Sequence, residues 1–167
     1  MIALLMLAVA AIPSTPDLGK AEGQCRPNEK GPAFLVDVAG LKDRKGRLKL
    51  ELYPADDTDF LADDNVLISR GKVFRRVEVP VPASGPVELC IRAPAPGSYA
   101  LSLLHDRDAN RRFALSVDGV GFPGNPRLGL SKPRARAASA EVGTGLAHIT
   151  IIVNYRRGLL SFGPLGR

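Results

Sequence analysis

Leu48-Lys49-Leu50-Glu51-Leu52-Tyr53 alternates without a break, three leucines on one side and Lys49, Glu51 and Tyr53 on the other. A repeat of two belongs to extended backbone, because successive side chains of a strand point to opposite faces. The pattern predicts a core-facing side and a solvent-facing side, as in an antiparallel sheet with one wet face. The same phase recurs along the chain, in Phe34, Val36 and Val38, in Val77, Val79 and Val81, and in Val87, Leu89 and Ile91. It continues in Tyr99, Leu101 and Leu103, with Ala100, Ser102 and Leu104 opposite, and in Ile149, Ile151 and Val153, with His148, Thr150 and Asn154 outward. Residues 137–142 complete a set of seven strands, and no segment carries a helical period. Between the strands stand Gly and Pro punctuators, such as Lys42-Asp43-Arg44-Lys45-Gly46, Pro82-Ala83-Ser84-Gly85-Pro86 and Pro94-Ala95-Pro96-Gly97. Short alternating strands with turns about every ten residues predict an all-β, single-domain antiparallel β-sandwich of about seven strands over residues 33–157.

The chain is 167 residues long, with 23 Lys+Arg, 17 Asp+Glu and a net charge of +6. That length suits one domain, and no apolar run reaches the length of a mature membrane span. No nucleotide-binding loop or close-spaced zinc motif occurs. The charge excess is local. Residues 127–167 hold seven basic side chains and one acid, Glu141, leaving 16 of each sign in the other 126 residues. Arg134, Arg136, Arg156 and Arg157 are not interleaved with stacking aromatics, so nucleic acid is not the expected partner. Loose attraction to an anionic surface through this C-terminal region is the expectation that remains. The loop from Pro54 to Asn65 carries five Asp and no basic residue, which reads either as a cation site or as a solvated loop.

Ile2 to Ile12 is an unbroken apolar run, too short to cross a bilayer and the right length for the core of a secretory signal, with small residues at Ala8-Val9-Ala10 for cleavage. Residues 1–11 are therefore assigned as a signal peptide, 12–32 as a polar linker and 158–167 as a flexible tail, and the protein as periplasmic or secreted. The alternative for the first run is a buried strand. Export changes the meaning of Cys25 and Cys90, the only cysteines, because an oxidising compartment favours disulfides. They are expected to pair, tying the linker to the outward side of the strand holding Glu88, Cys90 and Arg92, with unpaired buried thiols as the alternative.

Gly97-Ser98-Tyr99-Ala100-Leu101-Ser102-Leu103-Leu104-His105-Asp106, followed by Asp108 and Asn110, resembles the signature of the bacterial domain of unknown function 2141 family. The likeness extends to Gly121-Phe122-Pro123-Gly124-Asn125-Pro126, to Lys132-Pro133, to Val38-Ala39-Gly40-Leu41, and to Asn154-Tyr155. It implies an exported single-domain bacterial protein with a transthyretin-like or immunoglobulin-like sandwich. The Gly-x-Tyr strand entry is also similar to that of carboxypeptidase-regulatory-type modules, which are commonly accessory. Fold likeness of this kind supplies no chemistry.

Residues 105–132 form an irregular stretch too long for a plain connection, which marks it as a functional-loop candidate, with His105, Gly121, Phe122, Gly124, Asn125 and Pro126 singled out. Asp106, Asp108 and Asn110 place oxygens at alternate positions, as a calcium loop begins. Typical members of the resembled family continue with Gly and a further acid, similar to dockerin loops. Here Arg111 stands where the turn favours Gly, Ala114 where the later acid falls, and Asp118 one step beyond the register of the closing acid. The alternative is a loop whose carboxylates satisfy their own backbone. His105 beside Asp106 suggests a dyad, but neighbours on a strand face opposite ways, and no Ser or Cys sits in a nucleophile turn. The expectation is a non-catalytic, cofactor-free binding or structural module of the cell envelope. A calcium-dependent module and a hydrolase built on His105 are the competing readings.

Overall fold

The computed structural model describes residues 11–166, so the predicted signal segment falls outside the described residues except for its last position. Sheet one has the order β4-β1-β8, from β1 (Ala33–Ala39), β4 (Glu88–Arg92) and β8 (Leu146–Ile152). Sheet two has the order β10-β9-β6-β5-β2-β3, from β2 (Arg47–Pro54), β3 (Arg75–Pro80), β5 (Gly97–Asp106), β6 (Gly119–Gly121), β9 (Asn154–Arg156) and β10 (Phe162–Pro164). A seventh strand of this sheet, β7 (Ser139–Val142), pairs with the first half of β5, while β6 pairs with its last half. Pairing is antiparallel except between β1 and β8, which run parallel from Ala33↔Leu146 to Ala39↔Ile152.

The mostly-β sandwich agrees with the periodicity. Phe34, Val36, Leu89, Ile91 and Ile151 from the small sheet close on Leu48, Leu50, Leu52, Leu101 and Leu103 from the large one, all buried. All seven expected strands are present within a few residues. The three that the pattern did not reveal, β6, β9 and β10, are three residues long, too short to display an alternation.

One side of β2 departs from expectation. The face of Glu51 and Tyr53 is not wet: both are buried, under a second apolar cluster of Tyr53, Phe60, Leu67, Phe74, Ala100 and Phe122 with two alanines. The acidic 54–65 loop folds back over this face and runs into the short helix α2 (Asp64–Ser69), which the sequence reading did not anticipate. Tyr53 packs edge-on against Phe60 and Phe74, with ring centroids at 5.6 and 5.4 Å, and Phe60 against Phe122 at 5.9 Å. Such contacts add to area burial. Under this layer Arg76 donates to Glu51 (2.8 Å) and Asp64 (3.0 Å), and Tyr53 donates to the other Glu51 oxygen (2.7 Å). Three other carboxylates of the loop are also engaged. Asp59 pairs with Lys72 at 3.0 Å, Asp57 accepts from the Ala135 amide at 2.7 Å, and Asp56 accepts from the Thr58 amide at 2.8 Å.

The polar linker of residues 12–32 docks on the sandwich. Gly19 accepts from the Arg76 amide, the short helix α1 (Lys20–Gly23) packs on β3, and Cys25 is bonded to Cys90 on β4. Asn154, expected outward, is buried where β8 passes into β9, donating to the carbonyls of Val120 (3.2 Å) and Ile152 (3.1 Å). The segment expected as a tail contains β10, paired with β9 from Phe162↔Arg156 to Pro164↔Asn154.

Candidate functional site

His105 ends up as a strut. It is fully buried; its Nε2 lies 2.8 Å from the Lys45 carbonyl and its Nδ1 2.5 Å from the Tyr155 hydroxyl, which accepts from the Lys42 amide at 3.0 Å. One neutral tautomer satisfies the chain: the Lys42 N–H donates to Tyr155, Tyr155 O–H to Nδ1, and Nε2–H to Lys45. Burial holds the imidazole below its ordinary range and outweighs Asp43, whose nearer oxygen is 3.9 Å away. Asp43 itself is held low chiefly by the Arg107 guanidinium, whose Nε donates to it at 3.0 Å. Burial pushes the Tyr155 hydroxyl up to about 12. His105 thus ties β5 to β9 and to the turn before β2, where Gly46 meets Asp106 and Arg107 so closely that a Cβ has no room. Both ring nitrogens are spent inside the protein, and Asp106 turns away to its own loop.

In that loop Asp106, Asp108 and Asp118 bring one carboxylate oxygen each within 4.8 Å of one another. Asn110 stays at the rim, bonded to Asp108 at 2.8 Å. Arg111 takes the left-handed conformation that favours glycine, at φ 65°, and Ala109 does so at 56°. The carboxylate oxygens are largely used by backbone: Asp106 accepts from the Asn110 (3.2 Å) and Arg111 (2.7 Å) amides, Asp118 from Arg107 (2.9 Å) and Ala114 (2.7 Å). A cation would have to replace these bonds. Burial raises the Asp106 carboxyl above its ordinary range.

The Gly121–Pro126 turn is stitched to β8. Asn125 accepts from the Ile152 amide at 2.8 Å, and Gly121 lies so close to Ile151 and Ile152 that a Cβ would sit 2.5 and 2.7 Å from their atoms. Gly124 (φ 71°) and Asn125 (φ 48°) shape the turn, and Pro126 is half-buried. Of the residues singled out there, Phe122 lines the main apolar cavity.

That cavity is an apolar cleft of about 370 Å³ on the outer face of the large sheet. Its floor is β2, β5 and β6, through Lys49, Glu51, Ser102, Leu104 and Val120. Its walls are the 113–115 loop, the 128–133 segment and the β9–β10 hairpin, with Phe113 and Phe162 in edge contact at 6.3 Å. Nine large hydrophobic side chains are exposed among the described residues, and six of them (Leu61, Phe113, Leu115, Leu130, Leu159 and Leu160) line this cleft. Leu130, Leu159 and Leu160 are 79%, 83% and 71% exposed, a concentration that scattered surface leucines do not produce. The irregular 105–132 stretch contributes chiefly through the apolar side chains of Phe113, Leu115, Phe122, Leu128 and Leu130, and not through its His or Asp residues. Leu159-Leu160 in a supposed tail, and Leu128-Gly129-Leu130 in a loop, were the available signals, but nothing local said that they meet.

Residues 36–150 match the family described as "uncharacterized protein conserved in bacteria (DUF2141)", and the chain belongs to that family. No curated protein and no solved structure matches the chain.

Proposed function

We propose that this member of the domain of unknown function 2141 family is an exported, non-catalytic β-sandwich that binds an apolar or amphipathic ligand in the cleft over its large sheet, as an accessory module of the cell envelope. The observation that carries the reading is the convergence of six of the nine exposed large hydrophobics on one concavity. Its volume lies in the lower part of the range of small-molecule sites, which are mostly apolar with a few polar groups. Export is supported by the Cys25–Cys90 bond and the apolar run that begins the chain. The absence of catalysis is argued from His105, sealed away from any cleft with both nitrogens occupied.

Binding of the neutral dye Nile red tests the reading. Its fluorescence should rise on mixing with the protein and fall back at least tenfold in affinity when Leu115 and Leu159 are both changed to Asp. Both side chains are exposed, so the melting temperature should hold. No fluorescence rise, or a rise indifferent to the two substitutions, would refute the cleft as a binding site.

A further inference from the structure

We infer that the ligand of the cleft is a single-chain amphiphile with an anionic head, of the fatty-carboxylate class, the tail lying on the apolar floor and the carboxylate meeting Lys132 and Arg156 at the rim. The inference rests on the proposed cleft reading and adds the sign of the ligand's charge. Three cations line the cleft, Lys49, Lys132 and Arg156, against one acid, Glu51. Glu51 is already neutralised, by Arg76 at 2.8 Å, Lys49 at 3.3 Å and the Tyr53 hydroxyl.

The two rim cations differ from Lys49. Neither Lys132 nor Arg156 has a carboxylate within 4.0 Å among the described residues. The Lys132 ammonium donates to the carbonyls of Phe60 (2.7 Å) and Asp57 (3.3 Å) and sits 6.0 Å from the Phe60 ring centre, which fixes it in place with one N–H left over. Among the described residues the Arg156 guanidinium donates only its Nε, to the Gly158 carbonyl at 2.8 Å, leaving its two terminal nitrogens for a ligand. A planar fork of this kind suits a carboxylate. The C-terminal charge excess therefore has a local target, since Lys132 and Arg156 both come from residues 127–167.

A half-open cleft of about 370 Å³ suits one alkyl chain, and the two rim cations together suit one anionic head. Tail burial should then raise affinity by about fourfold per added methylene until the chain outgrows the cleft.

Isothermal titration of the full chain with decanoate and with decanol, below micellar concentration, tests the inference. Decanoate should bind about tenfold tighter than decanol, as a hydrogen bond to a charged group allows. The preference should vanish in Lys132→Gln/Arg156→Gln and shrink with added salt, while decanol affinity stays constant. Equal affinity for the two would overturn the anionic head and leave the cleft reading standing. No binding of either, with no Nile red signal, would overturn both. Sedimentation with phosphatidylglycerol vesicles but no decanoate binding would mark the patch as a membrane contact. A dimer dispersed by Leu159→Asp would mark it as an interface between copies. Either outcome overturns the inference.

Discussion

Changing Arg76 to Met should cost the protein about 3 kcal/mol of stability. Arg76 is 8% exposed and holds two carboxylates that are themselves nearly sealed, Glu51 at 2.8 Å and Asp64 at 3.0 Å. Removing one partner of a buried ionic group costs roughly 3–5 kcal/mol, because the remaining charge has lost its solvent and its counterion together. Here the lower end applies. Glu51 keeps the Tyr53 hydroxyl and Lys49, and Asp64 keeps the Ser14 hydroxyl at 2.6 Å. Urea unfolding at pH 7 should show the loss as a lower midpoint at constant slope, and a thermal melt as a drop of about 6–12 °C for a chain of this size. The triple variant Arg76→Met, Glu51→Gln, Asp64→Asn should recover at least half of the loss, since neutral amides leave no stranded charge. A single-variant loss under about 1 kcal/mol, the worth of a surface pair, would refute the reasoning. So would a triple variant no more stable than the single.

Two further outcomes follow from the same structure. Opening the Cys25–Cys90 bridge, which closes a separation of 65 residues, should cost about 4 kcal/mol on the chain-entropy account; Cys25→Ser/Cys90→Ser measures it by urea unfolding, and an unchanged midpoint would contradict it. Because burial holds His105 below its ordinary 6.5, the unfolded chain binds a proton that the folded chain refuses. Stability due to this group is therefore complete above about pH 6.5 and is lost as pH falls toward the lower folded value; unfolding free energies measured across pH 5–7.5 should decline toward acid, with a flatter slope in His105→Gln.

Local pattern determined the sandwich. Leu48, Leu50 and Leu52, and Leu101 with Leu103, must lie on one side of extended chain whatever the neighbours do, and burial of that side follows from the hydrophobic effect alone. The cysteine pairing was equally legible, since a chain with two cysteines has one internal bridge to make. The fate of His105 was half legible. Strand alternation separates it from Asp106, but the Tyr155 hydroxyl and the Lys45 carbonyl that occupy it lie 50 and 60 residues away.

What covers the other face of the large sheet was decided by tertiary structure. Glu51 and Tyr53 look solvent-facing because period two reports direction and not cover, and the cover comes from the 54–74 and 120–138 segments, which have no strong period of their own. The cleft is the extreme case. Leu61, Leu115, Leu130 and Leu159 belong to four separate irregular segments, and each alone is an ordinary exposed leucine. Only folding brings them around one concavity, with Lys132 and Arg156 at its edge, because proximity between distant loops depends on the paths of the strands between them and leaves no trace in any short stretch of sequence.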